Sequence, residues 1–402
     1  MLSQNPNDIT PFFPEKNRDE INDLILKLAT ATGKLSAAMH PLTARAVSAL
    51  VVNMNSYYSN LIEGQYTHPH DIERALKNDY STDEKKRILQ QESIAHIQVN
   101  EAMRKRLAQN NTDICTTDFL CWLHGEFYKY LPDSLRYVKG TANEMWEVTP
   151  GHLRTREVEV GKHVAPAANA LAGFMDMFNN RYAPPKIKNP VDRVLAIAAA
   201  HHRLAWIHPF LDGNGRVIRL FSEAYFITEG MDANGLWSIS RGLARKKDEY
   251  YAALNNADML RLNDYDGRGN LSDRYLAEFC LFFLHTAIDQ VTFMSSLFEI
   301  DLMMRRIDTF TDIMVSRDEL RTEARDILKQ VFLRGSLEKG VVMHIINKSD
   351  TIARPLTNRL IEMGLLIKND GHFAPLTMGF PARYARYLFP NLFPAQVEAT
   401  HD

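Results

Sequence analysis

One stretch of the chain, HPFLDGNGRVIR (residues 208–219), brings together residue types that can do chemistry. A loop that only turns the chain needs the two glycines, Gly213 and Gly215, which adopt left-handed backbone conformations easily. It does not need a histidine, an acidic residue and two arginines at fixed positions around them. The stretch therefore predicts a functional site rather than a simple connection between helices.

The spacing predicts that a helix starts inside this stretch. Pro209 disfavours a helical conformation at His208, so the preceding helix is expected to end near Ile207. The amphipathic run RVIRLFSEAYFI predicts a second helix that begins near Asn214 or Gly215. Amide groups at a helix start point outward and the helix dipole adds positive potential, so this loop is an anion site suited to phosphate.

The charged residues fit the same phosphate chemistry. Arg216 and Arg219 are three positions apart on one helical face, and guanidinium groups contact phosphate in a bidentate manner. Asp212 is a hard oxygen ligand for Mg²⁺, which binds one or two carboxylates together with substrate phosphates. His208 could take a proton from an attacking hydroxyl near neutral pH.

Rival phosphate and metal motifs do not match the sequence. The chain has no GxxxxGK[ST] P-loop, and GNGRVI lacks the third glycine of GxGxxG and follows a predicted helix rather than a strand. A zinc site at His201, His202 and His208 is disfavoured because the spacing matches no common site and no cysteine is near. We expect His201 and His202 to be helix residues that orient the loop.

The elements that must position these residues are mostly helical. Apolar residues recur at three- and four-residue spacing in many segments, and NPVDRVLAIAAAHHRLAWI predicts a helix with Asn189 as its N-cap and Pro190 at its first position. Alternation predicts one short β-hairpin with a polar, exposed face at Leu153 to Gly161. The predicted fold class is therefore mainly α, with a small hairpin.

The C-terminal part changes in character. Three short predicted helices precede a ribbon that turns at Asn369-Asp370-Gly371, which is the order of a winged-helix domain. Pro355 is expected in the first turn of the third helix, where proline is tolerated. From residue 317 to residue 390 there are 12 Lys and Arg against 8 Asp and Glu, a weak basic excess. We therefore expect this domain to bind a protein rather than DNA, and DNA is the second candidate partner.

Composition bounds the class of protein. The chain has 402 residues, 45% hydrophobic and 24% charged, which predicts a soluble protein of two or three domains. A net charge of −2 gives no general attraction to nucleic acid or acidic membranes. The three cysteines form no CxxC pair, no apolar run approaches the ~20 residues that span a bilayer, and the N-terminus lacks a signal-peptide pattern. The sequence predicts a cytoplasmic protein without a membrane partner.

The stretch HPFLDGNGRVIR resembles the signature of Fic-domain proteins, HPFx[DE]GNGRxxR, at every defining position. The resemblance covers residues from near 40 to near 290 and implies a Fic-type helical core. Most Fic proteins transfer AMP from Mg·ATP to a Ser, Thr or Tyr hydroxyl of a target protein and release pyrophosphate. By this resemblance His208 is the general base, Asp212 binds Mg²⁺ between the α- and β-phosphates, and Arg219 holds the γ-phosphate side. The resemblance also implies that Gly213, Asn214 and Gly215 form the anion hole and that Arg216 contacts the phosphates.

The resemblance also implies two segments that complete the site. The hairpin RTREVEVGKH matches the family's flap, where exposed backbone would pair with the target peptide as an added strand. Its end would line the nucleotide through Val160, Gly161, Lys162 and His163. The segment EYYAALNNAD, which contains Tyr251 and Asp258, would border the adenine, although the family often has Asn where Asp258 aligns.

A second motif, SNLIEG (residues 59–64), resembles the family's inhibitory motif [ST]xxxE[GN] and here precedes the core. Ser59 and Glu63 are four positions apart and share a helical face, and Gly64 can end the helix in a left-handed cap. Near that end, Glu63 is expected to pair with Arg219. A carboxylate there would occupy the guanidinium that the γ-phosphate needs and would repel the phosphate charge.

These observations predict an N-terminal helical region at 1–110 with an inhibitory helix at about 48–64, a Fic catalytic core at 111–300 and a winged-helix domain at 310–392. The expected function is a protein adenylyltransferase that also modifies itself, autoinhibited by Glu63, with Mg²⁺ as cofactor and ATP as co-substrate. A deadenylylase that uses Glu63 and a DNA-binding regulator with a degenerate nucleotide pocket are the alternatives. The sequence leaves open a homodimer, which is common among relatives.

Overall fold

The computed structural model describes residues 2–109, 112–140, 144–161, 163–369, 371 and 374–394. Most of these residues are helical, which confirms the predicted mainly α fold class. The N-terminal helices are α1 (Arg18–Ser36), α2 (Pro41–Ile62), α3 (Pro69–Leu76) and α4 (Glu84–Gln109). Helices α2, α3 and α4 pack against one another, whereas α1 packs mainly against a long helix of the central part, Asp273–Leu297.

The central part contains the predicted site and two small hairpins. Its elements are α5 (Thr117–Lys129), β1 (Tyr137–Lys139), β2 (Met145–Glu147), β3 (Glu159–Val160), β4 (His163–Val164), α6 (Leu171–Tyr182), α7 (Pro190–Ile207), α8 (Asn214–Thr228), α9 (Ile239–Arg245), α10 (Lys247–Ala257), α11 (Asp273–Leu297) and α12 (Ile300–Ser316). Each hairpin is an antiparallel pair, β1 with β2 and β3 with β4.

Helix α7 lies at the centre of the core and packs against α6, α8 and α11. It begins as predicted, since the Asn189 side chain accepts a hydrogen bond from the Val191 amide (3.0 Å) and Pro190 occupies the first helical position. Its small side chains at 196 and 198–200 are fully buried, which lets neighbouring helices approach closely. The two helices that carry the predicted site, α7 and α8, are therefore fixed by packing on most of their surfaces.

Among the described helices, α11 alone is long and apolar enough by itself to cross a bilayer. Just over half of that segment is buried inside the protein, where the helix packs against α1, α7, α9 and α10. The bent pair α1 and α2 passes the same test, with 116° between the two helices. No unbroken apolar run marks α11 in the sequence, because His285 and Asp289 interrupt it.

The C-terminal part contains helices and a three-stranded antiparallel sheet of order β5-β7-β6. Its elements are α13 (Ala324–Arg334), β5 (Ser336–Leu337), α14 (Val342–Ile345), α15 (Asp350–Glu362), β6 (Leu366–Lys368), β7 (Leu376–Met378) and α16 (Ala382–Leu388). Strand β5 has no counterpart in the sequence-based prediction. Of the predicted turn, Asp370 lies outside the described residues.

This C-terminal part contacts α2 near both of its ends. At the start of α2, the Thr43 hydroxyl donates to the carbonyl of Phe332 in α13 (2.8 Å). Near its end, the Tyr58 hydroxyl donates to the carbonyl of Leu392 (3.1 Å). Helix α2 is thus shared between the C-terminal part and α4, α8 and α9 of the rest of the protein.

Two local predictions are wrong. The hairpin expected at Leu153 to Gly161 is shorter and lies further along the chain, with paired strands only at 159–160 and 163–164. Alternation misled the prediction because Arg154 is buried and bonds backbone carbonyls instead of facing solvent. Pro355 lies in the second turn of α15, because that helix begins at Asp350 rather than near Arg354.

Candidate active site

The glycine loop folds as the sequence predicts. Helix α7 ends at Ile207, and α8 begins at Asn214 directly after Gly213, whose φ is 78°. The Asn214 side chain accepts from the Phe210 amide (2.9 Å) and donates to the Phe210 carbonyl (2.8 Å), which closes the loop on itself. A Cβ at Gly213 would lie 3.2 Å from the Tyr128 ring, so this position favours glycine for space as well as for backbone conformation.

His208 caps the end of α7. Its backbone is left-handed (φ 49°), and its amide still donates to the Leu204 carbonyl (3.1 Å). The side chain is half-buried. Burial, together with the positive potential of His163 and Arg154, lowers the pKa of His208 from 6.5 to about 4. The imidazole is therefore neutral at pH 7 and can accept a proton.

Arg154 holds the backbone around His208, a role that the sequence analysis did not identify. The side chain is buried, and its Nε donates to the His208 carbonyl (2.8 Å), its Nη1 to the Arg156 carbonyl (2.9 Å) and its Nη2 to the Pro166 carbonyl (2.6 Å). Its own amide donates to the Pro209 carbonyl (2.9 Å). One guanidinium therefore joins the end of α7 to both flanks of the β3–β4 hairpin.

Asp212, the predicted magnesium ligand, is oriented by helix α5. The Tyr128 hydroxyl donates to its Oδ2 (3.0 Å), and His124 Nε2 lies 3.2 Å from its carbonyl oxygen. Burial and the adjacent carboxylate raise the pKa of Tyr128, so the phenol stays protonated as a donor. Neither Tyr128 nor His124 carries a sequence signal for this role, because both lie more than 80 positions from their partner.

Arg219 is fully engaged by the end of α2, as the sequence predicts. Its Nη2 donates to Glu63 Oε1 (2.6 Å) and to the Ser59 carbonyl (3.0 Å), and its Nε donates to Ser59 Oγ (2.9 Å). Gly64 follows with φ 82°, the expected left-handed helix end. The Arg219 side chain is 2% exposed and that of Glu63 31%, so the guanidinium is buried behind a carboxylate that is still partly open to solvent.

The carboxylate of Glu63 also lies directly against the start of α8. A Cβ added to Gly215 would collide with Glu63 Oε1. Burial alone would raise the pKa of Glu63, but Arg219 and Arg216 outweigh it and hold the pKa below its usual range. An ionised carboxylate thus occupies the helix start, where an anionic phosphate is expected.

Arg216 has its own set of partners, which the sequence analysis missed. Its Nη2 donates to Glu92 Oε1 (3.2 Å) in α4 and to Gln65 Oε1, and its Nε donates to Asn60 Oδ1 (3.4 Å). Its guanidinium carbon lies 5.0 Å from the centroid of the Phe127 ring. The two arginines that resemble phosphate ligands are therefore both paired with carboxylates from the N-terminal helical part.

A cavity of about 270 Å³ opens between these groups. Its lining residues are Glu63, Gln65, Glu92, Tyr128, Leu131, Leu135, Tyr137, Asp212 and Arg216. Asp212 presents a carboxylate to this cavity, and Mg²⁺ prefers such hard oxygen donors beside phosphate oxygens. The donor present therefore fits Mg²⁺ bound together with a nucleotide.

The β3–β4 hairpin lies beside the end of α7. Val160 and Val164 are exposed, and Gly161 turns the hairpin with φ 61°. His163 Nε2 lies 2.7 Å from the carbonyl oxygen of Trp206, and its Nδ1 lies 3.5 Å from Asp258 Oδ2. Lys162 lies outside the described residues.

The candidates expected near the adenine have structural partners within the protein. Asp258 Oδ1 lies 3.1 Å from His202 Nε2, so Asp258 joins the hairpin to α7 at the end of α10. The Tyr251 hydroxyl donates to the Ile62 carbonyl (3.1 Å) and joins α10 to the end of α2. His201 and His202 lie in α7, as predicted, and both are buried. Their rings do not contact the glycine loop as expected, because His201 bonds Ser222 and Tyr250 and His202 lies against Leu254 and Asp258.

Comparison with known proteins relates this part of the chain to one family. Residues 114–226 match the model of the Fic/DOC family. A protein adenylyltransferase Fic of Nematostella vectensis is 30% identical over 207 residues, which are 50% of this chain and 42% of that protein. A protein adenylyltransferase Fic of Drosophila mojavensis is 31% identical over 105 residues, 26% of this chain and 21% of that protein. The chain thus spans less than half the length of these curated relatives.

Solved structures share the fold. A Fic family protein from Desulfovibrio desulfuricans superposes with a TM-score of 0.53 at 16% identity, covering 91% of this chain and 98% of that one. A Fic domain containing signaling protein from Bacteroides thetaiotaomicron gives a TM-score of 0.52 at 20% identity, covering 68% and 95%. Residues 114–226 are thus similar to the Fic/DOC family, and the solved structures share the fold of this chain.

Proposed function

We propose that this protein is a protein adenylyltransferase. It transfers AMP from Mg·ATP to a Ser, Thr or Tyr hydroxyl of a target protein and of itself. The single observation that carries the proposal is a neutral histidine at the end of α7, next to a helix start with Asp212 and two arginines. The names of the curated relatives, both protein adenylyltransferases, support the same reaction.

The proposed reaction follows from the groups around the loop. His208 accepts the proton of the target hydroxyl while its oxygen forms a bond to the α-phosphorus of ATP. The bond between the α-phosphorus and the oxygen that bridges to the β-phosphate breaks, and pyrophosphate leaves. The amides at the start of α8 and the guanidinium groups of Arg216 and Arg219 stabilise the negative charge on the phosphates. Mg²⁺, held by Asp212, supplies further charge neutralisation when it is bound.

The β3–β4 hairpin is the proposed docking site of the target. A two-residue strand with exposed Val160 and Val164 leaves backbone groups for an added strand from the target peptide. Arg154 joins both flanks of this hairpin to the backbone of His208, so a docked hydroxyl would approach the base from a fixed side.

Glu63 is the proposed inhibitory residue. Its carboxylate bonds Arg219 and lies against Gly215, so it competes with a phosphate both for the guanidinium and for the helix start. ATP then binds weakly or in a pose that does not react. Removal of this carboxylate is expected to release transfer activity.

A second candidate function is deadenylylation. The carboxylate of Glu63 is held ionised by Arg219 and Arg216 at the start of α8, and an ionised carboxylate can orient a water for attack on a bound adenylyl group. In that case the unaltered protein releases AMP from a modified target and the Glu63→Gly variant does not.

The domain boundaries 1–110, 111–300 and 310–392 and a cytoplasmic location belong to the same proposal. The order α13, β5, α14, α15, β6 and β7 supports a winged-helix domain at the C-terminus. The weak basic excess of that region favours a protein as its partner over DNA.

Mass spectrometry tests the reaction. The Glu63→Gly variant is incubated with ATP and Mg²⁺, and an added AMP on the protein is expected. The matched control is Glu63→Gly combined with His208→Ala, which should show no adduct. Absence of any adduct on the Glu63→Gly variant, with binding of DNA by the same protein, would favour the regulator with a degenerate pocket.

A further inference from the structure

A buried carboxylate outside the recognised motifs pairs with the other phosphate arginine. Glu92 in α4 lies 3.2 Å from Arg216, and the two side chains are 5% and 8% exposed. Gln65 contacts both, because its Nε2 donates to Glu92 Oε1 (2.7 Å) and its Oε1 accepts from Arg216. The pair is thus removed from water and held by a third side chain that follows the end of α2.

Glu92 depends on this arginine for its charge. One carboxylate oxygen, Oε1, accepts both hydrogen bonds, while the buried Oε2 has no hydrogen-bond partner among the described residues. Burial and the carboxylates of Asp212 and Glu63 raise the pKa of Glu92, and Arg216 opposes them. Loss of one partner from a buried ion pair leaves an uncompensated charge, which is strongly unfavourable.

Binding of a nucleotide at this site is therefore unfavourable for either position of the Arg216 side chain. If Arg216 turns to the phosphates, the carboxylate of Glu92 is left buried without its cation. If Arg216 stays in place, the phosphates add negative charge to a cavity that Glu92, Asp212 and Glu63 already line. Both outcomes weaken binding of a triphosphate.

We propose that Glu92 is a second inhibitory carboxylate, which neutralises Arg216 as Glu63 neutralises Arg219, so that a nucleoside triphosphate must overcome two ion pairs. This inference rests on the proposed function, because it concerns the same phosphate site. The second pair comes from α4 rather than from α2. Loss of Glu63 alone therefore leaves the ion pair of Glu92 and Arg216 in place.

Equilibrium binding of α,β-methylene-ATP with Mg²⁺ tests the proposal without turnover. The Glu63→Gly variant is compared with the same variant carrying Glu92→Gln, which keeps the shape of the side chain and removes its charge. We expect the double variant to bind about tenfold more tightly, within the usual range of coupling between sites. The matched control adds Glu73→Gln instead, a half-buried glutamate in α3 whose pKa is also raised by burial, and should leave the affinity unchanged.

Equal or weaker binding by the Glu63→Gly, Glu92→Gln protein would overturn the proposal and would mean that Glu92 only holds Arg216 in place. Thermal unfolding shows whether the double variant is folded. If it is not, Glu92→Ala in the same background removes the charge and carries the same expectation. A Glu63→Gly protein that neither binds the analogue nor incorporates AMP from ATP would refute the proposed function itself, whereas binding without a gain from Glu92→Gln refutes only the second carboxylate.

Discussion

The low pKa of His208 predicts how the rate of AMP transfer depends on pH. A base acts in its neutral form, so the rate follows the neutral fraction of the imidazole. With an ordinary pKa of about 6.5, about one quarter of the imidazole would be neutral at pH 6. With the pKa of about 4 that burial, His163 and Arg154 produce, nearly all of it is neutral at that pH.

We therefore expect the Glu63→Gly variant to transfer AMP almost equally fast at pH 6 and at pH 8, with an acidic fall in rate only near pH 4. The assay is the initial rate of radiolabelled AMP incorporation at saturating ATP and Mg²⁺, corrected with the same variant carrying His208→Ala. A fall of about fourfold between pH 8 and pH 6, with a midpoint near 6.5, would show that the base is an ordinary exposed histidine and would refute the reasoning.

Two further substitutions test the supports of the loop. Gly213→Ala places a methyl group 3.2 Å from the Tyr128 ring at a φ of 78°, and it should lower the free energy of unfolding by about 1–3 kcal/mol in denaturant titration; an unchanged midpoint would contradict this. In the Arg154→Lys variant, a single ammonium group cannot donate to the carbonyls of His208 and Pro166 in the geometry of the planar guanidinium. We expect the free energy of unfolding to fall by about 2 kcal/mol. We also expect kcat to fall more than the affinity for ATP. Equal losses in kcat and ATP affinity would argue against a role in positioning His208.

The parts of the site that the sequence predicts are those encoded within one segment. The start and end of α7 and the start of α8 follow from Pro190, Pro209 and the amphipathic run after the glycines, all of which act on neighbouring backbone. The pair of Glu63 and Arg219 can be predicted because each residue lies in a short motif with several defined positions. Both the helix boundaries and this pair are therefore encoded in residues close together in the sequence.

The remaining site residues could not be predicted because their roles exist only after the helices pack. Glu92 and Tyr128 sit in ordinary amphipathic helices, and their polar ends face Arg216 and Asp212 only through the placement of α4 and α5 against α8. The role of Arg154 is hidden for the same reason: alternation predicts an exposed strand, whereas the structure has a buried guanidinium that donates to four carbonyls.

Helix α2 has a thermodynamic consequence that reaches beyond the catalytic centre. One helix donates hydrogen bonds from Thr43 and Tyr58 to carbonyls of the C-terminal part, and the same helix ends in the carboxylate bound to Arg219. Linkage is reciprocal: if a partner seated on the C-terminal part changes the affinity for nucleotide by some factor, nucleotide changes the affinity for that partner by the same factor. A partner that shifts nucleotide affinity through α2 would therefore show the same shift in its own affinity when nucleotide is added.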